Sequence, residues 1–147
     1  MANPVITLLR LTGSRKRLLL ASGYSLIRAA FRVKRIPPSV LVLDFGTQGK
    51  QSGLDLSIGH LAYVRDVEWA IAAISRRMRV PPTCLMQAAA AKELLSRRGI
   101  PATVYFGVAP ACGDGRAINA HAWLRCGKRI ITGREEAQRF KPIAWFA

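Results

Sequence analysis

The chain has 147 residues, half of them hydrophobic, and a mean hydropathy of +0.16. That length suits one domain with a real apolar core, and the composition excludes global disorder. The formal charge of +15 is high for this size and would attract nucleic acid, anionic lipid or an acidic protein segment.

No apolar run is long enough to span a bilayer: residues 18–27 are too few, and 99–113 are broken by Pro101 and Pro110. A secretory signal is not expected either. Arg15-Lys16-Arg17 precede an apolar run, but Arg28 and Arg32 follow it and no cleavage site appears. A cytoplasmic location is the expectation. Cys84, Cys112 and Cys126 are odd in number and irregular in spacing, which argues against a disulfide framework and fits a reducing compartment. With His60 and His121 they are the available zinc ligands. No Cys-x-x-Cys pair is present, so no metal is expected.

Residues 14–35 read as an amphipathic helix. Leu19, Leu20, Gly23, Leu26, Ile27, Ala30 and Phe31 fall on one broad arc, expected to pack on the core. Arg17, Arg28, Arg32 and Arg35 lie together beside that arc. Eight basic residues precede the first acid, Asp44, so this part is a solvated face or a docking surface for an acidic partner. Membrane contact is the less favoured reading. Ile36-Pro37-Pro38 ends the helix. Residues 46–59, with Gly46, Gly49, Gly53 and Gly59, read as a loop or internal linker. No Gly-Lys-Ser/Thr follows, so they are not a phosphate-binding loop.

A helix is expected from about Leu61 to Arg79, with Val64, Val67, Ile71 and Ile74 at helical spacing, ended by Val80-Pro81-Pro82. The next runs from Thr83 to Arg98, with Gly99 just past its end. The period then changes. Residues 102–108, 120–126, 129–132 and 141–146 read as strands, with a tight turn over Cys126-Gly127-Lys128-Arg129. The loop from Ala109 to Asn119 is long enough to line a site. Helices followed by an antiparallel sheet make an α+β domain. One domain is expected over 1–147, with a basic helical part at 1–45 and a core at 60–147.

Cys84 and His121 carry the chemistry. Thr83 is a plausible N-cap, which puts Cys84 in the first turn, where the helix dipole favours thiolate. A histidine within reach takes the thiol proton and returns it to a leaving amine. A third group normally orients the imidazole. Glu135, Glu136, Asp114, Asn119, Thr132 or a backbone carbonyl are the candidates. The Cys84 amide is one candidate oxyanion donor. Cys112 is the second candidate nucleophile, without a helix start. Cys126 at its turn reads as structural. Against these stands the ordinary reading of a buried cysteine and a hydrogen-bonded histidine.

Three blocks now resemble a known family. They are Thr83-Cys84-Leu85-x-Gln87-Ala88, then Arg98-Gly99-Ile100-Pro101-Ala102-Thr103-x-Tyr105-x-Gly107-Val108, then Ala120-His121-Ala122-Trp123-Leu124-Arg125. They are similar to the lasso-peptide leader peptidases, which are transglutaminase-like cysteine proteases. The likeness extends through Ile130-Ile131-Thr132-Gly133 and Arg139-Phe140. It implies a transglutaminase/papain-like core, with the cysteine at a helix start packed on an antiparallel sheet. It implies Cys84 as nucleophile and His121 as base in ATP-independent removal of a leader from a ribosomally made precursor peptide. A separate lasso cyclase then closes the macrolactam, and no cofactor is implied. Many relatives carry an aspartate near the positions of Thr132 and Gly133, which this chain lacks. Some relatives are fused to a leader-recognition domain. This chain looks like the standalone protease of a split system, with a leader-recognition protein as partner.

Two other readings compete. One is a different transglutaminase-like acyl transferase using the same pair. The other is a basic nucleic-acid-binding domain. Against the second, Trp69, Trp123 and Trp145 are not interleaved with the arginines and no nucleic-acid motif is present.

Overall fold

A computed structural model describes residues 11–110 and 118–147. The helices come first: α1 (Gly13–Arg35), α2 (Pro38–Leu41), a 3-10 turn (Val42–Phe45), α3 (Ile58–Ser75) and α4 (Cys84–Ser96). Then follow β1 (Thr103–Pro110), β2 (Ile118–Cys126), β3 (Arg129–Thr132), the short α5 (Arg134–Ala137) and β4 (Lys141–Phe146). The strands form one antiparallel sheet in the order β3-β2-β1-β4. The architecture is the α+β order expected from the change of period.

Alternation along the strands gives the sheet two different faces. Val104, Leu124, Cys126, Ile131 and Phe146 turn inward to the helices, where Leu26, Val64, Ile71, Leu95 and Ile100 complete the main core. Tyr105, Trp123 and Ala137 turn outward and pack with Ile130, Phe140 and Trp145 in a second, aromatic cluster.

Helix α1 packs on α3 and α4. It stops where Ile36 becomes extended ahead of the proline pair, with Arg32, Lys34 and Arg35 at its negative end. Its buried face differs from the expected arc. Leu18, Leu19, Ser22, Ser25, Leu26 and Ala29 are buried, whereas Leu20, Ile27 and Phe31 are exposed. The physical reason is side-chain size. The buried residues of α4 include Ala88, Ala90 and Ala91 beside Met86, Leu94 and Leu95, and small residues such as Ser22, Ser25 and Ala29 on α1 suit a close helix approach better than Phe31 or Ile27 would. The arginine stripe is partly internal as well: Arg28 pairs with Glu93 of α4 at 3.5 Å, and Arg32 pairs with Asp44.

Residues 46–57 are a strap across the sheet rather than a linker. Thr47 and Gly49 donate backbone N–H groups to the carbonyls of Ala147 and Trp145, both at 2.9 Å. Ser52 N donates to Thr103 Oγ1 at 2.8 Å, the Tyr105 hydroxyl donates to Gln51 Oε1 at 2.8 Å, and Arg125 Nη2 donates to the Ser52 carbonyl at 3.0 Å. The polar composition that reads as loop supplies these partners. Helix α3 ends at Ser75, short of the expected Arg79. The N–H groups of Arg77 and Met78 fold back on the Ile74 carbonyl, and the Arg77 side chain donates to Ala73 O, closing the helix before the prolines.

Ser22 and Ser25 are fully buried, and among the described residues their hydroxyls have no hydrogen-bond partner. A buried hydroxyl without a partner loses its water for nothing in return. Ser22→Ala and Ser25→Ala should therefore each raise stability by about 1 kcal/mol. The measurement is urea unfolding, with a higher midpoint at an unchanged slope. A lower midpoint for both variants would show that these hydroxyls are bonded in solution.

Candidate active site

The site begins with a short strand. β3 has four residues and ends at Thr132, opposite Leu124 of β2. Gly133 then takes φ +72°, a left-handed turn that suits glycine, and α5 leads the chain away. The N–H of Leu124 points toward β3 and donates to Thr132 Oγ1 at 3.2 Å. By strand alternation the N–H of Ala122 points the same way, but past the end of β3. Its acceptor is Cys84 Sγ, at 3.4 Å.

Cys84 reaches that position because Thr83 starts α4 there. The Thr83 hydroxyl accepts from Met86 N at 3.3 Å, and Gln87 Nε2 donates to the Pro82 carbonyl at 3.1 Å. The thiol is thus the first side chain of the helix. The first N–H groups of a helix have no intrahelical acceptor and point toward whatever lies at its start.

His121 precedes Ala122 and so projects to the opposite, outward face. It is 6% exposed, stacked on Trp123 at 5.9 Å and tilted against Phe140 at 5.0 Å between ring centres. Nε2 lies 3.1 Å from the Gly133 carbonyl. A carbonyl only accepts, which assigns a proton to Nε2. Nδ1 lies 3.4 Å from Glu136 Oε2 on the half-exposed flank of α5. Gly107, opposite His121, has no side chain, and the Trp123 ring occupies that space: a Cβ there would meet it at 2.8 Å.

The thiol and the imidazole therefore lie on different faces of β2 and share the notch left where β3 ends. One cleft of about 520 Å³ is lined by Cys84, Gln87, His121, Thr132, Gly133 and the acids Glu68, Glu135 and Glu136. Neither ring nitrogen is bonded to the sulfur in this arrangement. Among the proposed orienting groups, Thr132 and Glu135 line the cleft, but Thr132 Oγ1 is engaged with Leu124 N. Asn119 sits exposed on β2, paired with Ala109. Asp114, Cys112 and most of the 109–119 loop lie outside the described residues. Among the described residues the polar groups at the ring nitrogens are the Gly133 carbonyl and Glu136. A glycine directly after the expected strand 129–132 is the sequence signal that points to the first.

Cys126 turns into the core and donates to the Pro101 carbonyl at 3.4 Å; burial pushes its thiol up from the usual range, against the opposing pull of Arg125 and Lys92. Burial likewise lowers Lys92, whose Nζ donates to Ala102 O. His60 lies exposed near the start of α3. Among the described residues no three His, Cys, Asp or Glu side chains converge as metal ligands would, and no helix is long and apolar enough to cross a membrane.

No curated protein and no solved structure matches this chain. Its sequence does match the transglutaminase-like superfamily over residues 25–144, from the middle of α1 into β4 and across both Cys84 and His121. Because that match takes in most of the chain, the protein is a member of the transglutaminase-like superfamily, whose members are commonly cysteine peptidases and acyl transferases.

Proposed function

We propose that this protein is a cysteine peptidase that removes the leader from a ribosomally made lasso precursor peptide. The observation that carries the chemistry is one cleft holding a thiol at a helix start and an imidazole held by a carbonyl, from residues far apart in sequence. The leader specificity rests on the three sequence blocks around Cys84, Tyr105 and His121.

In this reading the Gly133 carbonyl keeps the proton on Nε2, so Nδ1 is the basic nitrogen. The mechanism requires Nδ1 to leave Glu136 and come within hydrogen-bond reach of the Cys84 thiol when substrate is bound. Nδ1 takes the Cys84 proton, Sγ attacks the scissile carbonyl, and the oxyanion meets N–H groups at the start of α4. Nδ1 then protonates the leaving amine, and water hydrolyses the thioester. The Gly133 carbonyl fills the orienting role that an aspartate has in many relatives. The partners in this scheme are the precursor peptide, a leader-recognition protein and a lasso cyclase.

Incubating the protein with precursor and recognition protein and reading masses tests the proposal. Free leader and core peptide are expected. Cys84→Ala should abolish the cleavage, and His121→Ala should lower turnover by at least ~10²-fold with precursor binding unchanged. Cleavage by Cys84→Ala would overturn the nucleophile assignment. An unaltered turnover in His121→Ala would overturn the base.

Gly133→Ala probes the ring's support. Alanine at φ +72° is strained by about 1 kcal/mol or more, and its Cβ would come within 2.7 Å of Nε2 and 2.9 Å of the Ala122 carbonyl. Turnover should fall at least ~10-fold, the lower end of what a misplaced reacting group costs. Iodoacetamide should still label Cys84 in this variant and leave the buried Cys126 unlabelled in the native protein. Full activity in Gly133→Ala would show that the Gly133 carbonyl does not position the imidazole.

A further inference from the structure

Helix α1 presents an apolar seam that no described part of the fold covers. Leu20, Tyr24, Ile27 and Phe31 are 77%, 58%, 54% and 57% exposed. Single exposed apolar residues need no explanation, but these four are in register. Their 4-3-4 spacing is the a/d pattern of a two-helix interface, running for roughly 17 Å at 1.5 Å per residue. The opposite side of the helix is already used, since Leu18, Ser22, Ser25 and Ala29 are buried against the fold.

The borders of the seam identify what it would take. At 100° per residue, Arg17, Arg28 and Arg35 fall along one side and Lys34 along the other. Arg35 lies over the Phe31 ring, 5.3 Å from its centre, and Arg28 reaches Glu93 only at 3.5 Å. The whole helix contains no acidic residue. A second copy of the chain would set two basic borders against each other, which is unfavourable. A lipid surface is met by a broad apolar face of ~100° or more, whereas the seam spans only about 60°. We infer that this face of α1 docks an acidic amphipathic helix of another protein, with apolar residues in the seam and carboxylates against the arginines.

The inference is independent of the chemistry at Cys84. Its test uses a synthetic helical peptide of about three heptads, with Leu at a and d and Glu at e and g. Fluorescence anisotropy should show binding that weakens with salt, and a peptide with Lys in place of Glu should not bind. The charge-neutral double variant Ile27→Ser/Phe31→Ser should bind the acidic peptide at least ~10-fold less well, because it loses two buried apolar anchors. Leu20→Ser serves as a second seam variant, and circular dichroism confirms the fold of each. Iodoacetamide labelling of Cys84 should be unchanged throughout. Equal peptide binding by the seam variants would reduce the effect to charge and overturn the inference. So would seam-dependent binding to phosphatidylserine vesicles without peptide binding, or a seam-dependent dimer in sedimentation.

Discussion

The turn at Gly133 is the constraint on which the site depends. A longer β3 would pair with Ala122 and close the sheet edge. Because the chain turns left-handed there, the Ala122 N–H is left to the Cys84 sulfur and the Gly133 carbonyl is left to the imidazole. One backbone conformation thus sets a partner for both Cys84 and His121. A side chain at this position would strike His121, Ala122 and Trp123 together, so the geometry is available to glycine alone.

The imidazole is held from the other side by aromatic packing. Trp145, Tyr105, Trp123 and His121 succeed one another across the outer face, with Tyr105 and Trp123 stacked within 6° at 5.6 Å. The missing side chain at Gly107 lets the Trp123 ring lie flat in this row. The 46–57 strap fastens the far end through Gln51, Ser52 and Arg125. A buried ring with fixed neighbours has few rotamers to lose, so the orientation of His121 is set by the packing around it.

Charge is arranged differently in the two halves of the molecule. Three of the eight acids, Glu68, Glu135 and Glu136, line the cleft of a chain with net charge +15. Glu68 bridges Arg129 at 2.6 Å and Arg134 at 3.2 Å, tying α3 to β3 and the start of α5. The charged residues of helix α1 are all basic, and three of them are answered by Asp66, Glu93 and Asp44 from neighbouring helices. The charged residues of α1 are thus of one sign, while the cleft carries a cluster of carboxylates.

Local patterns determined much of this in advance. Thr83 before Cys84, Gly99 after Arg98, the alternation through 120–126 and the Cys126-Gly127-Lys128-Arg129 turn are short-range signals, and each element appears within a few residues of its expected place. Helix spacing also marked an apolar side on α1. Tertiary packing decided which side is covered, because burial depends on how closely the neighbouring helices approach, and α1 buries Ser22, Ser25 and Ala29 where it packs on α3 and α4. It turned a glycine-rich stretch into a strap, because hydrogen-bond partners such as Thr103 and Arg125 lie 51 and 73 residues away. It also put Gly133 and Glu136 on His121 and left Thr132 in the sheet. The sequence by itself names the thiol and the imidazole; only the end of β3, a long-range strand pairing, sets what each of them touches.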